Sequence, residues 1–413
     1  MPLVDMKDML NHAYRNGYAV GAFDLVSLDS LQAIITAAES ARAPVILSLA
    51  EAQFECFDFE PIMAAAEVAA QRASVPVAIH LDHGASLDSA VKAIRLGANG
   101  VMVDALHESL FHNIDRTRAV VDMAHACGVP VEGELGYVPD MEGADVDQRP
   151  RPGQYTTVAE AKGFVERTGV DFLAVSIGTV HGRMKDKPKL DWGRLKEINA
   201  ALGIPLVIHG GTGLSDDQFR KLITLGVAKI NYCTVVNDAA GERIRDNVKR
   251  DRRSGYAALL AGVREVIAAE VEPRMRAWGS AGRAAEVLAQ CRPWLNVERV
   301  VVYNAPHLDE NKLRALMTEG QRVLSGIPGV RAVQAGSVVD KSTRYRHCWL
   351  IRFASPEAST SYLQHPAQVA FSDRLFCPVA SDRISADYRV VGAEPGATVL
   401  PLSAVPASAG IPV

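Results

Sequence analysis

Val75-Pro76-Val77-Ala78-Ile79-His80-Leu81-Asp82-His83-Gly84 is an apolar run that ends by delivering a carboxylate and an imidazole just ahead of a glycine. Residues 75–81 read as a buried strand, because a short, nearly continuous apolar run bounded by turn residues has that length and composition. Successive side chains of a strand face opposite ways, so Asp82 and His83 share a pocket only if the chain turns at the strand's end. In the plainer alternative His83 caps the next helix and Asp82 is a solvated loop acid. The rest of the chain decides between them.

Outward from this stretch one unit repeats, a short apolar run followed by a helical stretch. Strands are expected at 19–23, 45–50, 75–81, 100–105, 129–135, 172–177, 206–209 and 228–231. Helices are expected at 28–42, 61–73, 87–96, 114–126, 157–168, 192–202, 215–225 and 235–250, with a further helix over 256–278. Gly97, Gly128 and Gly203 punctuate helix ends that feed strands. Eight such units predict an α/β fold, a closed (β/α)8 TIM barrel over residues 1–288, and the first strand is not followed by the G-x-G-x-x-G of a dinucleotide-binding sheet. One connection is out of proportion: 136–155 holds Gly136, Pro139, Gly143, Pro150, Pro152 and Gly153 without any period, which marks a binding loop or lid. Residues 296–392 follow a βαββαβ order, predicting a smaller ferredoxin-like α+β domain. Residues 393–413, rich in Ala, Pro and Gly, read as a flexible tail.

The chain has 413 residues, 48% hydrophobic and 22% charged, with a net charge of -4. That balance provides no electrostatic footprint for nucleic acid and no basic stripe for a membrane surface, so a small molecule is the expected partner. Residues 1–10 lack the apolar core of a signal peptide and no run is long enough to span a bilayer, which makes the cytoplasm the expected location. Cys56, Cys127, Cys233, Cys291, Cys348 and Cys377 form no C-x-x-C pair, which argues against both a disulfide framework and a thiolate metal cluster.

Barrel active sites gather at the C-terminal ends of the strands. There the sequence places Asp82 and His83 after strand three, Asp104 after strand four, and Glu132 and Glu134 on strand five. His181 follows strand six and His209 ends strand seven. Three imidazoles from separate strands match the ligand count of a catalytic zinc site. The turns Gly210-Gly211-Thr212-Gly213 and Asn231-Tyr232-Cys233-Thr234 precede helices on adjacent units, and their backbone N–H groups and threonine hydroxyls suit an anion.

Taken together, His80-Leu81-Asp82-His83-Gly84, Val131-Glu132-Gly133-Glu134-Leu135-Gly136, Ile177-Gly178-Thr179-Val180-His181-Gly182, His209-Gly210-Gly211-Thr212-Gly213 and Lys229-Ile230-Asn231 resemble the class II, zinc-dependent ketose-bisphosphate aldolases. The resemblance implies a lyase of carbohydrate metabolism that cleaves a phosphorylated ketose, a 1,6-bisphosphate or 1-phosphate, to dihydroxyacetone phosphate and an aldehyde through a zinc-stabilised enediolate. It further implies zinc on His83, His181 and His209, with Asp104 and Glu134 lining the metal pocket. Asp82 would carry the proton of the substrate's C4 hydroxyl, and Glu142, in the long loop, that of C3. Gly182, Gly210, Gly211, Thr212, Asn231, Tyr232, Cys233 and Thr234 would hold the phosphate, with a monovalent cation, Na+ or K+, also found near such turns in the family. Asp24, Ala50 and Leu106 depart from the family pattern, which shifts polar recognition of the substrate. A modified or acid sugar, a metal-dependent hydrolase, and a sugar-phosphate-binding regulator without turnover therefore remain as alternatives.

The second unit resembles the stress-responsive dimeric A/B barrel domain, through Cys348-Trp349-Leu350-Ile351-Arg352-Phe353, Ser361-Tyr362-Leu363-Gln364-His365-Pro366 and Asp387-Tyr388-Arg389-Val390. This implies pairing of two such sandwiches, hence a homodimer or homotetramer.

Overall fold

The computed structural model describes residues 2–55, 57–136, 145–146, 154–184, 189–340 and 342–389. Eight parallel strands close into a barrel. They are β1 (Val20–Asp24), β2 (Val45–Ala50), β3 (Val77–Gly84), β4 (Gly100–Val103), β5 (Val131–Leu135), β7 (Phe172–Val175), β9 (Leu206–Ile208) and β10 (Val227–Asn231). Two short segments, β6 (Asp145–Val146) and β8 (Arg183–Met184), pair with each other outside the barrel. This small parallel ladder ties the long connection after β5 to the loop that carries His181.

Helices α2 (Leu28–Ala41), α3 (Phe59–Arg72), α4 (Leu87–Leu96), α5 (Leu110–Ala126), α6 (Val158–Thr168), α7 (Trp192–Leu202), α8 (Asp216–Thr224) and α9 (Thr234–Arg250) follow the strands in turn. Ser27, Asp58, Ser86, Ser109, Thr157, Asp191 and Ser215 each accept a first-turn N–H and so fix where seven of these helices start. Gly97, Gly128 and Gly203 adopt left-handed backbone as expected.

Three features differ from the sequence expectation. An N-terminal helix, α1 (Met6–Asn16), opens on the Asp5 cap and ends on a left-handed Gly17. Its Met6, Met9 and Leu10 pack with Val20, Ile46, Ala78, Phe172 and Val207 into the barrel floor. Gly100 makes this possible, since a Cβ there would lie 2.2 Å from the Met6 sulfur. The single helix expected over 256–278 is divided into α10 (Tyr256–Leu259) and α11 (Val263–Ala277), because Gly262 turns left-handed between them. The third difference is in β3, which extends to Gly84 and so keeps Asp82 and His83 within the strand.

After α12 (Ala284–Gln290) comes the second unit: β11 (Val297–Asn304), α13 (Glu310–Ser325), β12 (Val330–Ser337), β13 (His347–Phe353), α14 (Pro356–Gln364), α15 (Pro366–Phe371) and β14 (Ser381–Arg389). Its antiparallel sheet has the order β12-β13-β11-β14, a ferredoxin-like arrangement. The open sheet face carries Leu350, Ile384 and Tyr388, all exposed. This unit is seated on the barrel away from the strand ends that bear the polar cluster. Arg331 of β12 bonds both Glu67 oxygens at 2.6 and 2.8 Å and donates to the carbonyls of Arg95 and Leu96 at the end of α4. Ser355 Oγ donates to the Cys127 carbonyl at 2.6 Å where α5 ends. Cations and donors at helix C-termini meet unpaired carbonyls there.

The Arg331 guanidinium holds the Glu67 carboxyl below its usual range against the opposing effect of burial. Arg331→Ala should therefore cost about 3 kcal/mol in urea unfolding at neutral pH, because it strands a largely buried carboxylate. Glu67 is depressed on folding, so the pair's contribution is complete above the carboxyl's unfolded pKa and is lost as pH falls through its folded value. The gap between wild type and variant should close over that acid interval; a gap independent of pH contradicts the assignment.

Candidate active site

The strand ends gather the site, and β3 does so by an irregularity. Its register with β4 shifts between Leu81 and Gly84, and His83 sits at φ +48°. A non-glycine residue in left-handed backbone costs on the order of 1 kcal/mol, and such strain concentrates at functional positions. The bulge removes the alternation that would have separated Asp82 from His83, so both line one cleft.

His83, His181 and His209 offer ring nitrogens that all lie within 4.8 Å of one another. Around them stand carboxylates from three strands. His83 Nδ1 is 2.9 Å from Asp104 Oδ2 and 3.9 Å from Glu134 Oε2. His209 Nε2 is 3.0 Å from Glu132 Oε1, and its Nδ1 is 3.2 Å from Glu134 Oε1. Burial alone would depress both imidazoles. Instead the Asp82 charge and the Asp104 hydrogen bond raise His83 well above the usual histidine value, while Glu134 and Glu132 raise His209 to about 9. Carboxylates that favour a proton on these rings would equally favour a divalent cation in its place. The donor set fits a metal ion: three imidazoles with oriented carboxylates behind them.

A second layer lies beneath, inside the barrel. Lys229, fully buried, is 2.8 Å from Glu132 Oε2 and 4.0 Å from Asp82 Oδ1. Burial opposes ionisation of Glu132, but Lys229 together with the His209 hydrogen bond and His80 outweighs it and holds the carboxyl at about 2. His80, between Asp82 and Glu132 at 3.9 and 3.7 Å, is pushed down to about 3 by burial and Lys229, so it is neutral. Asn231 Nδ2 donates to Asp82 Oδ2 at 2.8 Å. Asp82 Oδ1 is buried and takes no hydrogen bond. The His83 and Lys229 charges hold this carboxyl below the ordinary range despite its desolvation.

Of the residues expected from sequence, Asp82, His83, His181, Gly182, Gly210, Gly211, Thr212, Asn231, Cys233 and Thr234 line the cleft together. Gly210 must be glycine, since its φ is +68° and a Cβ would lie 2.2 Å from the Val180 carbonyl oxygen. Cys233 precedes α9 without giving its first turn a side-chain cap, which leaves those N–H groups to a ligand. Glu142 lies outside the described residues. Tyr232 requires correction: strand alternation turns its side chain away from Asn231, to pack on Phe23 and Trp278 and bond Glu270. Lys229 was not among the expected site residues, and Glu132, expected at the strand ends, carried no role there. Their signal was a lysine two positions from Asn231 on one strand face, and a glutamate two positions from Glu134 on another. Asp24, at the end of β1 and 6% exposed, also lines the cleft and adds a carboxylate to it.

Residues 4–283 match the family model described as Fructose-bisphosphate aldolase class-II, and residues 297–390 match that of the Stress responsive A/B Barrel Domain. A parallel barrel with an imidazole and carboxylate rim is thus joined to an aldolase sequence pattern. The chain belongs to the class II fructose-bisphosphate aldolase family. It is 40% identical over 290 residues to the fructose-bisphosphate aldolase of Geobacillus stearothermophilus, covering 69% of this chain and 100% of that one. Against the enzyme of Staphylococcus aureus strain COL the identity is 39% over 289 residues, with the same coverage. The crystal structure of the YdjI aldolase from Escherichia coli K12 superposes with a TM-score of 0.61 at 35% identity, over 68% of this chain and 99% of that chain.

Glu132→Gln keeps the shape of the bond to His209 but removes the charge that faces Lys229. It should weaken zinc binding about 10–100-fold in competition with a chromophoric chelator. Unchanged affinity would remove Glu132 from the supporting layer.

Proposed function

We propose that this chain is a zinc-dependent aldolase that reversibly cleaves a phosphorylated ketose to dihydroxyacetone phosphate and an aldehyde. The observation that carries the reading is Asp82. Its Oδ1 is buried and takes no hydrogen bond, and the residue shares the cleft with His83 and His181 and groups with His209. His83, His181 and His209 would be the ligands, and the zinc would supply Lewis-acid polarisation of the ketone and dispersal of the charge left by carbon–carbon cleavage.

The protein's own groups perform the remaining work. Asn231 fixes one Asp82 oxygen, which leaves Oδ1 as the atom that accepts the C4 hydroxyl proton in cleavage and returns it in condensation. The positive surroundings keep Asp82 ionised, and hence free of a proton before cleavage, and make it a strong donor once loaded, although they weaken it as a base. Gly182, Gly210, Gly211, Thr212 and Thr234 would seat the phosphate, whose remote binding energy orients the reacting carbons. Asp24 favours a second reading within the same chemistry, a non-standard sugar. A carboxylate in this cleft repels a further phosphate or an acid group nearby and suits a hydroxyl donor instead.

Fructose 1,6-bisphosphate, tagatose 1,6-bisphosphate and the corresponding 1-phosphates should be assayed for dihydroxyacetone phosphate release. At least one should be cleaved, and Asp82→Asn should lower its kcat about 10²–10⁴-fold with zinc content unchanged. Cleavage of none, or full activity in Asp82→Asn, counts against the proposal.

A further inference from the structure

Metal-ligating side chains meet a second time, one layer below the rim. Asp82, Glu132 and His209 each present a ligand atom, all within 4.8 Å of one another, and none of the three is more than 2% exposed. His80, fully buried, stands 3.9 Å from Asp82 Oδ1 and 3.7 Å from Glu132 Oε2. Burial and Lys229 keep this ring uncharged, and neither of its nitrogens has a hydrogen-bond partner. Asp82 Oδ1 and Glu132 Oε2 take no hydrogen bond either. Two carboxylates and two imidazoles are zinc ligands in type and in number.

A side chain takes the place of an ion there. Lys229 Nζ, wholly shielded from solvent, lies 2.8 Å from Glu132 Oε2 and 4.0 Å from Asp82 Oδ1, and it too makes no hydrogen bond. Its hold on these oxygens is therefore that of a compact point charge rather than of an oriented donor. Two buried carboxylates need a cation beside them, and Lys229 is the one the chain supplies. A divalent ion and this ammonium exclude each other, because like charges repel strongly in so small a dry space.

We infer that Lys229 is a tethered cation filling an interior metal pocket made by Asp82, Glu132, His80 and His209, and that it thereby keeps the catalytic ion on the rim. The inference rests on the reading of His83, His181 and His209 as metal ligands. His209 belongs to both groups, so the two positions lie side by side. Without Lys229 the interior carboxylates would draw a divalent ion inward, and Asp82 Oδ1 would become its ligand. An oxygen held by an ion is no longer open to the C4 hydroxyl proton. Lys229 thus preserves Asp82 for proton transfer. It is a positioning residue, because it acts through Asp82 and does not itself line the cleft.

The test counts metal in the full chain. Wild type, Lys229→Met and the double variant Lys229→Met/Glu132→Gln are stripped with a chelator, equilibrated in excess zinc, freed of unbound ion and assayed for zinc per chain. Wild type should hold about one ion and Lys229→Met about two, and the double variant should return to about one, since it keeps a single interior carboxylate. Dihydroxyacetone phosphate release should fall about 10²-fold in Lys229→Met although its zinc content rises, a combination that loosened packing does not produce. If Lys229→Met does not fold without metal, refolding in zinc should recover it, and its urea midpoint should climb with zinc concentration more steeply than that of wild type. A count of about one ion in Lys229→Met, or failure of zinc to recover a misfolded variant, overturns the inference. Zinc in Lys229→Met with none in wild type keeps the interior pocket and removes the rim reading; zinc in neither removes both.

Discussion

The site depends on one backbone constraint, the left-handed His83 at the bulge that ends β3. In regular strand geometry Asp82 would face the barrel axis and His83 the helices, and no cleft could contain both. The shift of register at Leu81 to Gly84 brings them together, and the neighbouring rim residues are then placed against them: Asp104 bonds His83, and Asn231 bonds Asp82. The strain is stabilised by what surrounds it, since His83 is fixed by Asp104 on one side and the preceding strand is paired with β2 through Asp82.

The second requirement is charge balance in a closed space. A barrel interior normally fills with branched apolar side chains, yet this one holds Lys229, Glu132, Asp82 and His80 near its C-terminal end. Each ionised group would be intolerable alone, and each is tolerated because an opposite charge lies within about 4 Å. The floor of the barrel is apolar instead, plugged by α1. The polarity gradient along the axis therefore separates stability at one end from chemistry at the other, and the second unit is docked clear of the reactive end.

Much of this was legible in the sequence, for physical reasons. Buried parallel strands read as β-branched runs, and helix-ending glycines punctuate them, so the barrel and the ferredoxin-like order both followed. The three histidines and Asp82 were legible because polar groups at the ends of apolar strands have few structural uses. What escaped lies beyond local pattern. The convergence of Asp82 and His83 needs a bulge that alternation does not foresee. Lys229 hides inside a strand as a single polar residue, and its value comes from partners far along the chain, Glu132, which is 97 positions away, and Asp82. Tyr232 was misplaced because proximity to Asn231 was read without strand alternation, and α10 was joined to α11 because Gly262 resembles an ordinary helix glycine. The sugar was not legible either, since Asp24 and Ala50 alter the recognition of groups that only a bound substrate defines.

The most direct test of the central claim, that three imidazoles hold a zinc ion on which ketose cleavage depends, is metal-resolved turnover. The protein is stripped with a chelator, and dihydroxyacetone phosphate release is followed as zinc is returned, with bound metal measured on the same samples. Activity should vanish on stripping and recover in proportion to bound zinc, reaching its maximum near one ion per chain. Undiminished cleavage by metal-free protein would contradict it.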